Sequence, residues 1–390
     1  IRASEWYFVA GSYDEESRTI VLTQEPLSRW PLDESKVTAE TGVSIDNMGY
    51  GDSSLLIGAY RDYGENGEVM ISGYFNGKIE NPRLYDRSAT LEQFESIRLG
   101  NSCQDLREAL VGDWDFTKDF SSTKVTDTGP NSLHGRTVNM PARAMKGHNW
   151  TGNEVNYNRA PQEYGAIHFH DDDLDDAGWD VDFELTIPSD MRSGVYAAHL
   201  KTKGGEDYVP FFVRPAKATT NANTVFLVPT LSYLAYGNDR QLSNPDLPIE
   251  NISPIIAKIP YPQQEQDKYM IQQGLTSLYD LHSDGSGVSY SSRLRPILNM
   301  RPKYNWPVLG GYPSQLNADL HILDWMEVKG HDYDVVTDED LHFEGVDALT
   351  AYKVVVTGTH PEYWSGPMLA ALEVYLNSGG RLMYLGGNGF

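Results

Sequence analysis

At Thr224 the chain changes its hydrophobic period, and this change constrains the fold more than any other feature. Before it, short apolar–polar alternations recur between turn signals; after it, continuous apolar runs alternate with amphipathic stretches. Period two marks strands with one buried face, whereas an unbroken apolar run marks a strand covered on both. Antiparallel β structure is therefore expected first and a parallel α/β sheet second. The 390 residues divide by this reading into 1–155, a β-sandwich with bridging strands, 156–220, a second β region with a linker, and 221–390, the α/β domain.

In the first segment Trp6–Asp14, Thr19–Gln24, Ser53–Tyr60 and Val69–Asp86 read as strands, Asn76-Gly77 as a hairpin turn, and Leu91–Leu99 as a short helix. In the second, AIHFHDDD, DVDFELTIP, GVYAAHLKT and YVPFFVRP alternate as sandwich strands, and Lys217–Asn223 reads as the linker. The acidic run Asp171–Trp179 lacks the glycine spacing of a calcium loop and reads as a solvated turn. In the third, TVFLVPT, YDVVTDEDL, YKVVVTGTH and RLMYLGGN are expected strands, with helices over Leu320–Lys329 and Gly366–Asn377. Ser378-Gly379-Gly380 stops the last helix. The sheet is expected to be doubly wound, with functional residues at the carboxyl ends of its strands.

Charge and composition narrow the function. Fifty-five acidic side chains against 31 Lys and Arg give a net charge of −24, which repels phosphate backbones and argues against nucleic acid as a partner. A lone cysteine, Cys103, forms neither an intrachain disulfide nor a cysteine-rich metal site, and fits a reducing cytoplasm. No apolar run approaches the ~20 residues that span a bilayer. A G-x-S-x-G elbow is missing, and the pairs Gly310-Gly311 and Gly386-Gly387 fit no phosphate loop. Ile1 falls inside an expected strand and Phe390 just after one, so the chain is expected to be part of something longer.

Gly358–Gly366, GTHPEYWSG, directly follows an expected buried strand and carries His360, Glu362 and Tyr363 where open α/β sheets bind ligands. A carboxylate beside an imidazole supplies metal ligands or an acid–base pair; alternatively Glu362 and Trp364 merely cap the next helix. TLSYLAYGND brings Tyr233 and Tyr236, one turn apart if helical, and QGLTSLYDLHSDGSG brings Tyr279 and His282. Most tyrosines are core residues with one polar handle. A free phenol ionises near ~10, so phenols ligate only strongly Lewis-acidic ions, ferric iron foremost.

Several motifs resemble known folds. W-x-x-V-A-x-x-Y-D from Trp6 and F-x-G-x-I-x-x-x-R-x-Y-x-R from Phe75 resemble a concanavalin or laminin-G-like jelly roll, and PSDMRSGVYAAHL an immunoglobulin-like hairpin. Y-L-x-S-G-G-R-L-x-Y-L-G-G-N from Tyr375 resembles the class I glutamine amidotransferase-like domain, here incomplete and without the nucleophilic cysteine. In combination, A-Y-G-N after the first α/β strand, S-L-Y-D downstream and T-H-P-E-Y-W after a later strand resemble the large-subunit family of the N,N-dimethylformamidases, across essentially the whole chain. That resemblance implies an amidohydrolase releasing dimethylamine and formate, with a mononuclear ferric iron held by two tyrosines and a glutamate. The implied ligands are Tyr236, Tyr279 and Glu362, with Tyr233 the alternative to Tyr236. His360 would act beside the metal, Asn388 would hydrogen-bond substrate or water, and a general base would lie beyond Phe390. A small alpha companion subunit and a hetero-oligomer are implied as partners, besides the small amide substrate. Two other readings remain open: a related amidohydrolase with a different amide substrate, and a non-catalytic carbohydrate- or protein-binding protein.

Overall fold

Thr224–Val228 is the central strand of the computed structural model, and its side chains alternate between two cores. The structure describes residues 2–28, 36–43, 54–101, 104–216, 219–220, 222–239, 264–306 and 311–389. Cys103, Gly310, Ser53, Phe390 and part of the Lys217–Asn223 stretch lie outside them. Two compact units result, 1–173 and 174–390, so the expected middle region is divided between them.

Every paired strand of the first unit is antiparallel. Tyr7–Asp14, Thr19–Pro26 and Val37–Gly42 form one three-stranded sheet; Ala142–Met145, Ala166–Phe169 and Gly77–Glu80 form another. Arg83–Tyr85, Leu110–Asp115, Lys124–Asp127 and Gly135–Arg136 make a four-stranded sheet. Trp114, Phe116, Val125 and Ile167 pack together as the core. The expected helix forms over Leu91–Arg98, started by a capping box at Thr90.

Two expectations here need correction. Of the expected strand Ser53–Tyr60, residues 54–59 form none; pairing begins at Tyr60, where Tyr60–Tyr63 meets Val69–Ser72. That hairpin closes through Gly64 and Gly67, so Asn76-Gly77 is not its turn. Instead, Gly77–Glu80 pairs with Ala166–Phe169, far along the chain, and the Asn76 side chain accepts a hydrogen bond from the Asp171 N–H at 2.8 Å. A turn dipeptide reports local backbone preference; the pairing partner is set by tertiary packing.

In the second unit the strand order is Asp334–Thr337, Thr224–Val228, Val354–Thr357, Arg381–Met383, all parallel. Val225 and Leu227 face Leu341, Leu349, Met368 and Leu372 from the helices Asp338–Glu344 and Gly366–Asn377 and their connection. Phe226 and Val228 face Leu316, Leu323 and Met326 of the helix Leu316–Lys329. Burial on both faces is what the unbroken apolar run requires. YDVVTDEDL is not one strand, because Thr337 caps a helix: its hydroxyl and the Asp340 carboxylate exchange hydrogen bonds with each other's backbone N–H.

The expected second sandwich is absent among the described residues. Gly194–Thr202 and Gly205–Val213 form a two-stranded hairpin, which the Ser193 hydroxyl ties to Val335 by accepting its N–H at 2.8 Å. DVDFELTIP pairs with nothing described, and its alternate residues Val181, Phe183, Leu185 and Ile187 are 44–75 % exposed. Alternation makes a segment amphipathic, but without a partner edge it forms no ladder.

The two-faced packing predicts a concrete cost. Leu341 is fully buried against the central strand, so Leu341→Ala should destabilise the protein by about 2–5 kcal/mol. Urea denaturation followed by far-ultraviolet circular dichroism measures this, and a loss within error of zero would contradict the packing described.

Candidate metal centre

The central strand and its neighbour Val354–Thr357 run parallel in register, Leu227 beside Thr357, so their carboxyl ends open side by side. Ligand-binding groups of open parallel sheets collect there. After Val228, Pro229 leads into the short helix Thr230–Ala235, and Tyr236 ends it. Asn299 holds that turn by donating from its Nδ2 to the Tyr236 carbonyl at 2.7 Å. After Thr357 comes the loop carrying His360 and Glu362. Ser365, not Glu362 or Trp364, caps the following helix by accepting the Met368 N–H at 3.3 Å. Glu362 is thereby free of capping duty. Tyr279 arrives from a third segment, anchored where the Leu278 N–H donates to the Ala235 carbonyl at 3.2 Å.

These three segments bring Tyr236, Tyr279, Glu362 and His360 into one cluster. The Tyr236 hydroxyl donates to Glu362 Oε2 at 2.5 Å, and the Tyr279 hydroxyl donates to the Tyr236 oxygen at 2.8 Å and lies 3.3 Å from Glu362 Oε2. His360 Nε2 lies 3.1 Å from Glu362 Oε2 and 3.2 Å from the Tyr236 oxygen. Asn388 donates from Nδ2 to the other carboxylate oxygen, Oε1, at 3.2 Å. The Tyr236 and Tyr279 rings stack with centroids 4.5 Å apart. The three implied ligands, His360 and Asn388 therefore meet here.

Tyr233 does not. Its hydroxyl points to the buried Asp319 carboxylate at 2.5 Å, and burial, followed by the Asp319 charge, pushes its ionisation well above the ordinary phenol value. His282, the other imidazole noted beside Tyr279, sits in a turn of its own, where its backbone N–H bonds to the Ser286 carbonyl.

Local electrostatics set the protonation states. Burial raises the Tyr236 phenol above the ordinary value, and the hydrogen bond to Glu362 adds to it. Burial also raises Tyr279, reinforced by its hydrogen bonds to Tyr236 and Tyr363. For Glu362 burial works upward, but hydrogen bonds from Tyr236, Asn388 and His360 outweigh it and hold the carboxyl below its usual range. At neutral pH the cluster is thus a carboxylate receiving two neutral phenols.

The donor set suits a hard cation. Metal–oxygen bonds of about 2.0–2.2 Å space ligand oxygens by roughly 3 Å, and the three oxygens here lie 2.5, 2.8 and 3.3 Å apart. Once both phenols were ionised, two phenolates and a carboxylate would carry three negative charges, the charge of a trivalent ion.

Four further residues shape the site. The Tyr363 hydroxyl contacts that of Tyr279 at 2.6 Å, and Trp306 stands edge-on to Tyr236, centroids 6.3 Å apart. Ser232, fully buried, accepts the Glu362 and Tyr363 N–H groups at 3.0 and 3.3 Å. Asp319 sits on the apolar face of its helix with Leu316, Leu320 and Leu323. A carboxylate in that stripe is a signal readable in the sequence; Trp306 offers none.

Comparisons with known proteins converge on one family. Residues 142–390 match the family described as N,N-dimethylformamidase beta subunit-like, C-terminal. The N,N-dimethylformamidase beta subunit of Paracoccus aminophilus is 39 % identical over 403 aligned positions, covering 98 % of this chain and 51 % of that protein. The beta subunit from an Alcaligenes species is 36 % identical over 404 positions, with the same coverage. The chain spans about half the length of the curated relatives it matches.

The raised phenols give a signed pH dependence. A tyrosine whose ionisation is raised on folding stabilises fully below the free value of ~10, and that contribution is lost as pH climbs through the higher folded value. The stability difference between the metal-free wild type and a Tyr236→Phe, Tyr279→Phe double variant should be constant up to ~10 and shrink above it. Thermal melts across that range test this; a difference that grows with pH would contradict it.

Proposed function

Since the chain belongs to the N,N-dimethylformamidase beta subunit-like family, we propose that it carries the metal centre of an amidohydrolase cleaving N,N-dimethylformamide and related small formamides. The products are dimethylamine and formate. The observation that carries this reading is the meeting of the Tyr236, Tyr279 and Glu362 oxygens at the carboxyl edge of the sheet.

Ferric iron is the cofactor we assign, with Tyr236, Tyr279 and Glu362 as its ligands. When bound, it would supply Lewis-acid polarisation and lower the pKa of water near neutrality. The chain's own residues do the rest. Asn388 presents an amide N–H beside the carboxylate, where it can donate to the formyl oxygen as negative charge develops there. His360, within 3.2 Å of two ligand oxygens, is placed to deliver a proton to the departing nitrogen. That proton is needed because dimethylamide anion is too basic to leave; water's oxygen ends on the formyl carbon and the C–N bond breaks. Trp306 and Tyr363 offer aromatic surface to the N-methyl groups.

The finer fold assignments accompany this reading. Antiparallel sheets favour a laminin-G-like first unit, and the parallel order of the second favours a class I glutamine amidotransferase-like domain. The relatives are called beta subunits, which supports a small companion subunit and a hetero-oligomer. The lone cysteine agrees with a cytoplasmic location.

Metal content and the visible spectrum of the purified protein test the proposal. We expect about one iron per chain and release of about two protons on binding, since both phenols must ionise. A tyrosinate-to-iron band should appear and be lost or strongly altered in Tyr279→Phe, while Glu362→Gln should lose metal and turnover together. Full activity in Glu362→Gln would sink the assignment; normal iron with turnover of another amide only would move the substrate, not the centre.

A further inference from the structure

We propose that Asp319 is a positioning residue that clamps together the two segments supplying Tyr236 and Glu362, and so sets the spacing of the metal ligands. The inference rests on the metal assignment for its consequence, but on hydrogen bonds alone for its geometry. Asp319 is 1 % exposed, in the first turn of the helix Leu316–Lys329. Its Oδ1 accepts both the Thr359 N–H at 2.5 Å and the Thr359 hydroxyl at 2.8 Å. Its Oδ2 accepts the Tyr233 hydroxyl at 2.5 Å.

Thr359 directly precedes His360 and stands three residues before Glu362, while Tyr233 stands three residues before Tyr236. One carboxylate therefore grips both ligand-bearing segments a few bonds from the ligands themselves, through Thr359 and Tyr233. Ser232 adds a second tie, joining the helix Thr230–Ala235 to the Glu362 and Tyr363 backbone. Gly358 makes room: a Cβ there would meet Asp319 Oδ2 at 2.5 Å and the Pro229 ring at 2.8 Å.

Energetics favour a specific role over core filling. A buried carboxylate costs several kcal/mol unless its lone pairs are satisfied, and an apolar side chain would fill the stripe between Leu316 and Leu323 without that cost. Three donors from two segments satisfy it here, and burial together with those donors fixes one arrangement. Outer residues that hold ligands in this way characteristically change metal affinity or activity by about 10–100-fold when lost.

The test compares Asp319→Asn with wild type in the whole protein, using two independent readouts. Hydrogen exchange should accelerate about tenfold in 230–236 and 358–363 together while the strands 224–228 and 354–357 keep their protection. The iron dissociation constant should rise about 10–100-fold and the tyrosinate-to-iron band should shift, with kcat falling and KM nearly unchanged. Should Asp319→Asn fail to fold, Thr359→Val, which removes one donor, should show the same pattern, and Thr359→Ser, which keeps it, should restore wild-type behaviour. Unchanged exchange in both segments, or acceleration spread evenly over the sheet, would overturn the clamp. Wild-type protein that binds no iron would instead count against the metal assignment, and the exchange result would still decide the clamp.

Discussion

A strand buried on both faces has only its ends free for polar chemistry, and the rest of the second unit follows from that restriction on Thr224–Val228. Its side chains are committed to two apolar cores, so helices must cover it and each must return the chain to start a parallel neighbour. Every strand then ends on the same edge. Tyr236 follows the central strand and Glu362 the adjacent one, which brings groups distant in sequence to hydrogen-bonding range. Tyr279 joins from a non-sheet segment, held by the Leu278 bond to the end of the Tyr236 helix.

Much of this was legible from period alone. The continuous runs TVFL and KVVV identified the parallel strands, and Ser378-Gly379-Gly380 stopped the last helix where it ends, after Asn377. Illegible features depended on partners that the local sequence does not name. DVDFELTIP alternates as well as any strand in the chain but has no ladder among the described residues, and Asn76-Gly77 leads into a strand whose partner lies far along the chain. Capping chemistry misled in the opposite direction: Thr337-Asp338-Glu339-Asp340 continues a strand-like run, yet side chain to backbone bonds convert it to helix.

At the site the sequence left two choices, and hydrogen bonding distinguishes the residues in each. Tyr233 and Tyr236 were equivalent by spacing, but one turn of helix sends the first into the core toward Asp319 and leaves the second at the sheet edge. Glu362 or Trp364 as a cap was equally sound until Ser365 proved to accept the helix N–H. Trp306 was beyond reach because its ring meets Tyr236 through tertiary packing alone.

The metal-free cluster explains why such a ligand set is stable before any cation arrives. Two phenols and a carboxylate would repel one another if all were ionised; here both protons remain, and each phenol finds an acceptor within the cluster. Glu362 alone carries charge, kept ionised by the donors around it. On the proposed assignment, binding a cation would exchange two protons for one multivalent ion among oxygens already about 3 Å apart. Raised phenols make that exchange harder at low pH, since protons compete for the same oxygens. On the proposed assignment the same competition would favour a trivalent ion, whose three anionic contacts would offset the cost of displacing protons held above the ordinary phenol value. Hydrogen bonding that holds the cluster together would then also act as its filter.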